Sequence, residues 1–389
     1  MEFTIPEETK MLQMTMKRFV EEECFPVEQE MMRVDPDWIE LPQETFNRLR
    51  TKLKQLGFWA LDVPAEYEGQ ELDTLSYCLI TEEQYKTVVG TVHHSPFWSP
   101  LSVMLFSALY RGSDKQKENY LFPLIRGEKR AGLCQTEPDA GSDAAAIKTT
   151  ATADGDSWVI NGVKRFATMG DSADFFYVTA VTDRSKGRDG ITMFLVNRET
   201  PGIKIERLWR VMRPQYSTEI VFDNCRVPDE QRLEGSGWYN LQEGLGKLRM
   251  LMAQGCVGRA SRSLDITTRY VQERKTFGEP LSRRQAIQWM LVDSAIEIHT
   301  TRLMALEGAW KVDQGMDVTE EASMIKVYAT EMACRVLDRC IQCLGGIGLS
   351  KDLPLERWYR EVRVDRIGEG PSEIHRMILA RSLFRGWRP

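Results

Sequence analysis

Apolar residues recur at intervals of three and four along most of the first 125 residues of the chain, and this spacing predicts amphipathic helices. Short polar sequences that start at Asp35 and at Gly112 combine Asp with Pro, Gly or Ser, and such sequences favour turns between helices. The predicted helices cover Glu7–Glu30, Leu41–Leu56, Leu72–Val88, Ser102–Tyr110 and Lys115–Ile125.

The pattern changes near Ala131 to short runs rich in β-branched and aromatic residues, which predict a β-rich middle domain. Asn161-Gly162 separates the runs Trp158–Ile160 and Val163–Thr168, and this dipeptide is typical of a tight hairpin turn. A small barrel or sandwich fits the number of strands. The further predicted strands are Phe175–Val181, Ile191–Val196, Ile203–Leu208 and Glu219–Phe222.

Helical spacing returns after Gly237 and continues to the end of the chain. Such apolar stripes are typical of long helices packed in a bundle. The stripes are Leu241, Leu245, Leu248 and Met252, then Ile287, Leu291, Ala295 and Ile298, then Leu337, Ile341 and Leu344. We therefore predict a mainly α, α+β chain with domains at residues 1–128, 129–236 and 237–389.

Composition and charge exclude several classes of protein. The net charge of -6 is spread over interspersed acids and bases without a basic block, which argues against a nucleic-acid partner. No stretch approaches the roughly 20 apolar residues that a membrane-spanning helix needs. The start, Met1–Lys17, is mixed and polar, unlike a signal peptide.

Eight scattered cysteines favour a reducing compartment, and we take the cytoplasm as the default. Cys340 and Cys343 have the spacing of half a metal site, but no second pair or flanking histidine completes it. We expect structural thiols and no bound metal. His93 and His94 are predicted to lie in a loop or at a helix end, with a place in a pocket as the alternative.

Glu369 lies between Gly368 and Gly370, in a break within the helical C-terminal third, where packing asks for no carboxylate. Glycine on both sides allows unusual dihedrals and the close approach of a ligand, and Pro371 fixes the exit from the break. A placed base is one interpretation. A solvated loop acid, or an acid at the N-terminus of the next helix, is the other.

Three more segments carry candidate chemistry. Leu133–Asp143 is a run of small and polar residues whose N–H groups and hydroxyls suit carbonyl or phosphate oxygens, although a capping turn would look similar. Gln272–Gly278 places two cations and an aromatic at a helix end, which suits a diphosphate or a salt-bridged terminus. Gln342–Gly348 ends a helix in three glycines, more than a C-cap needs. No strand leads into a GxGxxG sequence, which argues against a Rossmann fold.

In this order, the segments resemble the acyl-CoA dehydrogenase family over essentially the whole chain. Thr136–Asp143 reads TEPDAGSD and is similar to the family's TEPxAGSD; Glu273–Gly278 is similar to its ERxxFG, and Gln342–Gly348 to its QxxGGxG. Ile367–Arg376 resembles the segment of the catalytic base. The resemblance implies an N-terminal helical domain, a central β-barrel, a C-terminal four-helix bundle and a homotetramer, or a homodimer, that binds FAD.

The resemblance also implies roles for individual residues. Gln135 and Thr136, next to Cys134, would lie at the pyrimidine edge of the flavin, with Phe166 against the ring and Thr168 at N5. Ser142, also assigned to the cofactor site, would face the CoA portion with Arg249, near Gly368 and Gly370. The residues that would bind the diphosphate and adenosine half of FAD, from a neighbouring subunit, are Arg274, Phe277, Gln285, Gln342, Gly345 and Gly346.

The implied reaction is dehydrogenation of an acyl-CoA thioester to a trans-2-enoyl-CoA. Glu369 would remove the α-proton while hydride passes to flavin N5, and the Glu369 N–H and a ribityl hydroxyl would hold the thioester oxygen. An electron-transferring flavoprotein is the implied acceptor. Three positions depart from the family pattern: Gly368 replaces a large residue, Pro371 a threonine and Phe166 a tryptophan. Leu248 stands where some members carry their base.

Other reactions fit the same scaffold: enoyl-CoA reduction, nitroalkane-type oxidation and C–S cleavage. A third class is a catalytically silent helical assembly protein. Such a protein would be expected to have lost the motifs, which are present here. The stretch Val92–Trp98 hints at a short, branched or ring-bearing acyl group, and a surface turn is its alternative interpretation.

Overall fold

The computed structural model describes residues 5–92, 95–97, 107–213 and 215–384. Its N-terminal part is helical, as predicted, with π-helical turns at Val20–Cys24 and Lys117–Leu121. The predicted helix Glu7–Glu30 is confirmed and continues to Val34, and the predicted Ser102–Tyr110 helix is described only from residue 107. His93 and His94 lie outside the described residues. The helices are α1 Glu7–Phe19, α2 Phe25–Val34, α3 Gln43–Gln55, α4 Thr74–Gln84, α5 residues 107–110, α6 Asp114–Gln116 and α7 Phe122–Arg126.

The middle part forms one seven-stranded sheet in the order β1-β4-β2-β3-β7-β6, with β5 on β4. A bridge between Leu133 of β1 and Thr168 of β3 connects the sheet back onto itself, as in a small barrel. Ile160, Phe176 and Val178 pack inside it. The strands are β1 Ala131–Cys134, β2 Thr150–Asp154, β3 Ser157–Thr168, β4 Phe175–Val181, β5 Ile191–Asn197, β6 Ile203–Arg210 and β7 Tyr216–Pro228.

The predicted hairpin turn at Asn161-Gly162 is wrong. Strand β3 continues through this dipeptide, with a shift in its pairing with β7 between Ile160 and Gly162, and the hairpin turn lies earlier, at Gly155-Asp156, where Asp154 pairs with Ser157. Gly155 has φ +65° and makes the tight turn possible. Gly162 serves close packing instead, because a Cβ there would lie 2.3 Å from the Oγ1 atom of Thr149. The Asn161 side chain accepts a hydrogen bond from the N–H of Asn224.

The C-terminal part is a bundle of long helices. Ion pairs of Lys311 with Glu321, and of Glu297 with Arg335 and Arg339, fix α10 and α11 in antiparallel register. A core of apolar side chains joins this bundle to α1–α4. The helices are α8 Gly237–Glu243, α9 Leu245–Glu273, α10 Gln285–Asp313, α11 Thr319–Leu344, α12 Pro354–Asp365 and α13 Ser372–Leu383, with a two-residue hairpin pair, β8 Lys275–Thr276 and β9 Glu279–Pro280, after α9.

The prediction that the apolar stripe of α10 forms its buried face is mostly wrong. Only Ile298 of its four residues is buried, and Ala295 is exposed. Small and hydroxylated side chains form the buried face, namely Ser294, Thr301, Ala305, Gly308 and Ala309 together with Ile298. A second apolar row points outward: Trp289, Val292, Ile296, Leu303 and Trp310. Within the described residues, no helix is long and apolar enough to cross a bilayer.

Candidate active site

Glu369 lies in the turn between α12, which ends at Asp365, and α13, which begins at Ser372. The backbone of Glu369 has φ +55°, a left-handed conformation that costs a non-glycine residue about 1–2 kcal/mol. Gly370 follows with φ +93°. Such strain clusters at functional sites when the surrounding structure enforces it. The two glycines that the sequence singled out thus flank a carboxylate held in an unusual backbone conformation.

The Glu369 carboxyl is a candidate base because burial, which removes water from it, raises its pKa. Three cations oppose this shift, Arg249 most strongly, then Lys326 and Arg213. No hydrogen bond within the described residues contributes to the shift, so the carboxyl is available to a ligand. A raised pKa makes a carboxyl a stronger base, which suits it to taking up a proton.

Arg249 lies in the first turns of α9, next to Glu369. Burial lowers the pKa of its guanidinium, and the nearby Glu369 carboxyl opposes that shift. The Nε atom of Arg249 is buried and lacks a hydrogen-bond partner among the described residues. Since an unpaired buried donor is costly, this group is suited to a ligand that supplies an acceptor.

A second group of predicted residues meets at the edge of the barrel. The bridge between Leu133 and Thr168 sets β1 beside β3, and the N–H of Arg165 donates to the carbonyl of Thr136 at 2.7 Å. Phe166 stands beside them, 51% exposed and with φ +57°. An exposed aromatic ring on a strained backbone, next to the hydroxyl-bearing Thr168 and Thr136, fits a planar ring ligand.

The side chains of two residues in this group, Gln135 and Cys134, are not positioned to bind a ligand directly. The Gln135 amide is occupied within its own loop, donating to the Ala144 carbonyl at 2.8 Å and accepting from the Thr179 hydroxyl. The Cys134 side chain is buried in the barrel core, and burial raises the pKa of its thiol to about 12. Any contact of these two residues with a ligand would therefore come from their main chain. Ser142 is exposed in the following loop.

The remaining predicted cofactor residues lie together at one end of the bundle. Phe277 and Gly278 form the two-residue turn of the β8–β9 hairpin with φ +52° and +85°, and Phe277 is 98% exposed. Gln285 begins α10, Gln342 lies in the last turn of α11, and Gly345 and Gly346 follow the end of that helix. Every residue of the set is exposed, including Arg274. A Cβ at Gly345 or Gly346 would meet no atom within 4 Å.

This set is far from Glu369 within one chain. Glu369 is close to Arg249 and Lys326, near the starts of α9 and α11, whereas the set lies at the opposite ends of these helices. At about 1.5 Å per residue, Lys326 and Gln342 are about 24 Å apart along the α11 axis. One protomer therefore does not bring the set to the Glu369 turn.

Two buried side chains under the turn, Lys326 and His375, were not predicted from the sequence as site residues. Lys326 is 1% exposed and donates from Nζ to the carbonyl of Gly370 at 2.6 Å. His375 is fully buried, with Nε2 3.3 Å from the carbonyl oxygen of Glu369. A signal was available for Lys326, because it lies with Ala322, Ala329 and Ala333 on the face of α11 that the helical period buries.

A buried carboxyl with a raised pKa, and an exposed aromatic ring at the edge of a barrel that stands between two helical parts of the chain, are typical of an enzyme that works with a bound ring cofactor. The N-terminal, middle and C-terminal domain models of acyl-CoA dehydrogenase match residues 6–128, 132–225 and 235–384. The chain belongs to the acyl-CoA dehydrogenase family, whose members are FAD-dependent oxidoreductases. The residues at the barrel edge fit a flavin ring, and the bundle end, with its cation and glycines, fits a dinucleotide.

Relatives carry out reactions in both directions. The chain is 36% identical to (R)-benzylsuccinyl-CoA dehydrogenase of Thauera aromatica, covering 100% of this chain and 98% of that protein. It is 34% identical to acryloyl-CoA reductase (NADH) of Anaerotignum propionicum, covering 99% and 96%. Butyryl-CoA dehydrogenase from Megasphaera elsdenii has the same fold, with a TM-score of 0.86 at 29% identity over 99% of this chain and 100% of that one.

Proposed function

We propose that the protein is an FAD-dependent acyl-CoA dehydrogenase that converts an acyl-CoA thioester to a trans-2-enoyl-CoA with Glu369 as the base. The observation that carries this proposal is the Glu369 carboxyl itself, which has a raised pKa, is hydrogen-bonded by no described side chain and lies beside Arg249. The α-hydrogen of a thioester is a weak acid, so its removal needs a base of this kind within reach.

The enolate that forms needs immediate stabilisation, and the turn offers a donor for it. The N–H groups of Ile367 and Gly368 both donate to the Val364 carbonyl, whereas the N–H of Glu369 has no main-chain acceptor among the described residues. We assign this N–H to the thioester oxygen, where a fixed donor is worth most as negative charge develops. Bound FAD would supply the hydride-accepting chemistry.

The substrate residues Ser142, Arg249, Gly368 and Gly370 keep their proposed roles. Gly368 leaves space beside the base, and Arg249 offers its unpaired Nε donor to the CoA portion. We propose Thr136, Thr168, Phe166 and the main chain at Cys134 and Gln135 as contacts of the flavin ring. Phe166 would contribute ring stacking.

A homo-oligomer, with the homotetramer as the first expectation and the homodimer as the second, completes the cofactor site. Two observations support it. The bundle-end set of Arg274, Phe277, Gln285, Gln342, Gly345 and Gly346 lies at the end of the bundle opposite to the Glu369 turn, since Lys326 beneath the turn and Gln342 are about 24 Å apart along α11, and α10 exposes a row of apolar side chains. Exposed apolar rows of this kind mark protein interfaces. An electron-transferring flavoprotein as acceptor, and a cytoplasmic location, which eight free cysteines fit, belong to the same proposal.

Enoyl-CoA reduction is a second candidate, favoured by one observation: the chain is as similar to a reductase, at 34% identity, as to many dehydrogenases. The same residues would serve the reverse reaction. Protonated Glu369 would deliver the α-proton, and a raised pKa suits this role because it keeps the proton on the carboxyl at higher pH.

An anaerobic titration of the holoprotein tests the proposal. We expect a panel of short, branched and aryl acyl-CoA esters to bleach the flavin absorbance with at least one member. Glu369→Gln should keep the bound flavin and lose bleaching, since the base is gone while the cofactor contacts remain. Glu373→Gln, the same change at an exposed acid in the first turn of α13, is the matched control and should bleach normally.

Each outcome decides between the candidates. Bleaching that persists in Glu369→Gln would contradict the assignment of the base. An oxidised flavin that no saturated ester bleaches, combined with a chemically reduced flavin that enoyl-CoA esters reoxidise, would favour the reductase. Reoxidation by these esters should then depend on Glu369 in the same way.

A further inference from the structure

Two consecutive carbonyl groups of the Glu369 turn are held by buried side chains from the bundle. Lys326 of α11 donates from Nζ to the Gly370 carbonyl at 2.6 Å, and the Nε2 atom of His375 of α13 lies 3.3 Å from the Glu369 carbonyl oxygen. Lys326 is 1% exposed and His375 is fully buried. Burial of an ammonium group is costly unless it is paired. The position of this lysine therefore needs an explanation beyond packing.

Hydrogen-bond counting assigns the tautomer of His375. Its Nδ1 atom lies 3.2 Å from the Oγ atom of Ser323, and the partner of its Nε2 atom within the described ranges is the acceptor oxygen of Glu369. Nε2 must carry a proton, because two facing lone pairs would repel. Burial and the nearby Arg249 lower the pKa of His375 to about 4, so the ring is neutral and its second nitrogen, Nδ1, is an acceptor. The Ser323 hydroxyl lies between Nδ1, at 3.2 Å, and the Thr319 carbonyl, at 2.9 Å, and its one proton serves one of these two acceptors at a time.

The contact beneath the turn is tight and the turn is strained. A Cβ at Gly370 would lie 3.0 Å from the Nε2 atom of His375, and both Glu369 and Gly370 have positive φ. Strain of this kind persists only where the surroundings enforce it. The two buried donors supply that enforcement, since each bonds a peptide group next to the strained residues.

Lys326 also brings charge near the base. Burial lowers the pKa of Lys326 to about 8. The nearby Asp365, Cys256 and Glu369 oppose this shift, and the Arg249 cation adds to it. Below that pH the ammonium is charged and lowers the pKa of Glu369, together with Arg249 and Arg213. Loss of this charge should therefore raise the pKa of Glu369, whereas loss of the neutral His375 should leave it in place.

We propose that Lys326 and His375 are positioning residues that clamp the main chain of the Glu369 turn and so aim the Glu369 carboxyl and its N–H at the substrate. This inference rests on the proposed role of Glu369 as base. A clamp of this kind fixes the geometry of a catalytic group without touching the substrate. A displacement of about 1 Å at a reacting group is sufficient to lower a rate about 10²-fold.

Four variants of the FAD-loaded protein test the clamp. Lys326→Met removes donor and charge at nearly constant volume, His375→Leu removes the second donor, and His375→Gln places an amide donor near the Nε2 position. Lys311→Met is the control, because this lysine pairs with Glu307 and Glu321 and makes no hydrogen bond to the Glu369 turn among the described residues.

We expect Lys326→Met and His375→Leu to lower the limiting rate of anaerobic flavin reduction by about 10- to 100-fold, with little change in the ester concentration that gives half-saturation. His375→Gln should recover most of the rate. The acidic limb of the rate profile should move to higher pH in Lys326→Met only. Lys311→Met should match the unmodified protein in both measurements.

Amide hydrogen exchange of the holoprotein provides a readout that is independent of the reaction. Exchange at Ser372, whose N–H donates across the turn to the Arg366 carbonyl at 3.2 Å, should accelerate in Lys326→Met and His375→Leu and remain unchanged in Lys311→Met. If Lys326→Met does not fold, the comparison of His375→Leu with His375→Gln decides. Unchanged rates, unchanged pH limb and unchanged exchange would overturn the clamp. Failure of the proposed function would be seen separately, as bleaching by no ester or as bleaching in Glu369→Gln, and the exchange experiment would still decide on the clamp.

Discussion

Arg213, in the connection between β6 and β7, forms an ion pair with Asp365, the last residue of α12. Asp365 also accepts from Arg259 of α9 at 2.5 Å, and both Asp365 and Arg259 are almost fully buried. Burial opposes ionisation of Asp365, but the Arg259 and Arg213 cations outweigh it and lower its pKa. Asp365, four residues before Glu369, thus connects the barrel to the bundle through these two ion pairs.

Removing the charge of Asp365 should be costly, because the buried Arg259 guanidinium and the partly exposed Arg213 guanidinium would lose a counter-ion. We expect Asp365→Asn to lower the free energy of unfolding by about 3–5 kcal/mol, seen as a lower midpoint of thermal unfolding. Asp338→Asn, at an exposed position on α11, is the control. Equal midpoints for the two variants would contradict a structural role for this ion pair.

His375 predicts a specific loss of stability in acid. Its pKa is lowered to about 4 in the folded chain, whereas an unperturbed histidine titrates near 6.5, so the unfolded chain binds the extra proton first. Stability should therefore fall as the pH drops from about 6.5 to about 4, by about 3 kcal/mol in total. His375→Gln should lose less stability across this window, measured as the midpoint of unfolding against pH. His299→Gln, on the exposed side of α10, should follow the unmodified protein, and a His375→Gln curve parallel to it would refute the assignment.

Gly162 and Gly155 should respond differently to alanine. A Cβ at Gly162 would lie 2.3 Å from Thr149 Oγ1, so we expect Gly162→Ala to cost about 3 kcal/mol through overpacking. A Cβ at Gly155 would meet no atom within 4 Å, and only its positive φ opposes the change, at a cost of about 1 kcal/mol. Thermal unfolding of both variants measures the difference. The reverse order would contradict the close packing of Gly162 against Thr149.

Phe277 should affect cofactor retention more than folding. It is 98% exposed in the protomer, so its truncation removes almost no packing within one chain. Under the proposed shared site, Phe277→Ala should weaken FAD retention about tenfold, through loss of an aromatic contact, measured as flavin released on ultrafiltration. Leu383→Ala, which removes an 81% exposed apolar side chain, should retain FAD normally. Equal retention by the two variants would remove Phe277 from the site.

The order of helical, β and helical segments could be predicted because hydrophobic period changes from near four to two and back along the chain. The break at Glu369 was also predictable, since Gly-Glu-Gly-Pro interrupts a helical pattern. The turn at Gly155 was not, because Asn161-Gly162 has the stronger local preference and only the contact with Thr149 places Gly162 inside a strand. Tertiary packing decided that position.

The buried face of α10 shows the same limit. Hydrophobicity placed Leu291 and Ala295 inside, but the closely packed bundle accepts small residues such as Ser294 and Ala305 there, so the larger side chains point outward. His375 could not be found from the sequence, because its role depends on a carbonyl six residues earlier that only the folded turn brings within reach. The division at residues 128 and 236, and the assigned cofactor contacts, stay predictions.

The placement of Glu369 and the Phe277 hairpin at opposite ends of the bundle has a genetic consequence. If each cofactor is bound between two subunits, a chain with a substitution only at Glu369 and a chain with a substitution only in the Phe277 hairpin are inactive for different reasons. Mixed oligomers of the two mutants would then contain some active sites in which one subunit supplies an intact Glu369 and the other an intact Phe277 hairpin. Co-expression would restore part of the turnover that neither mutant has alone.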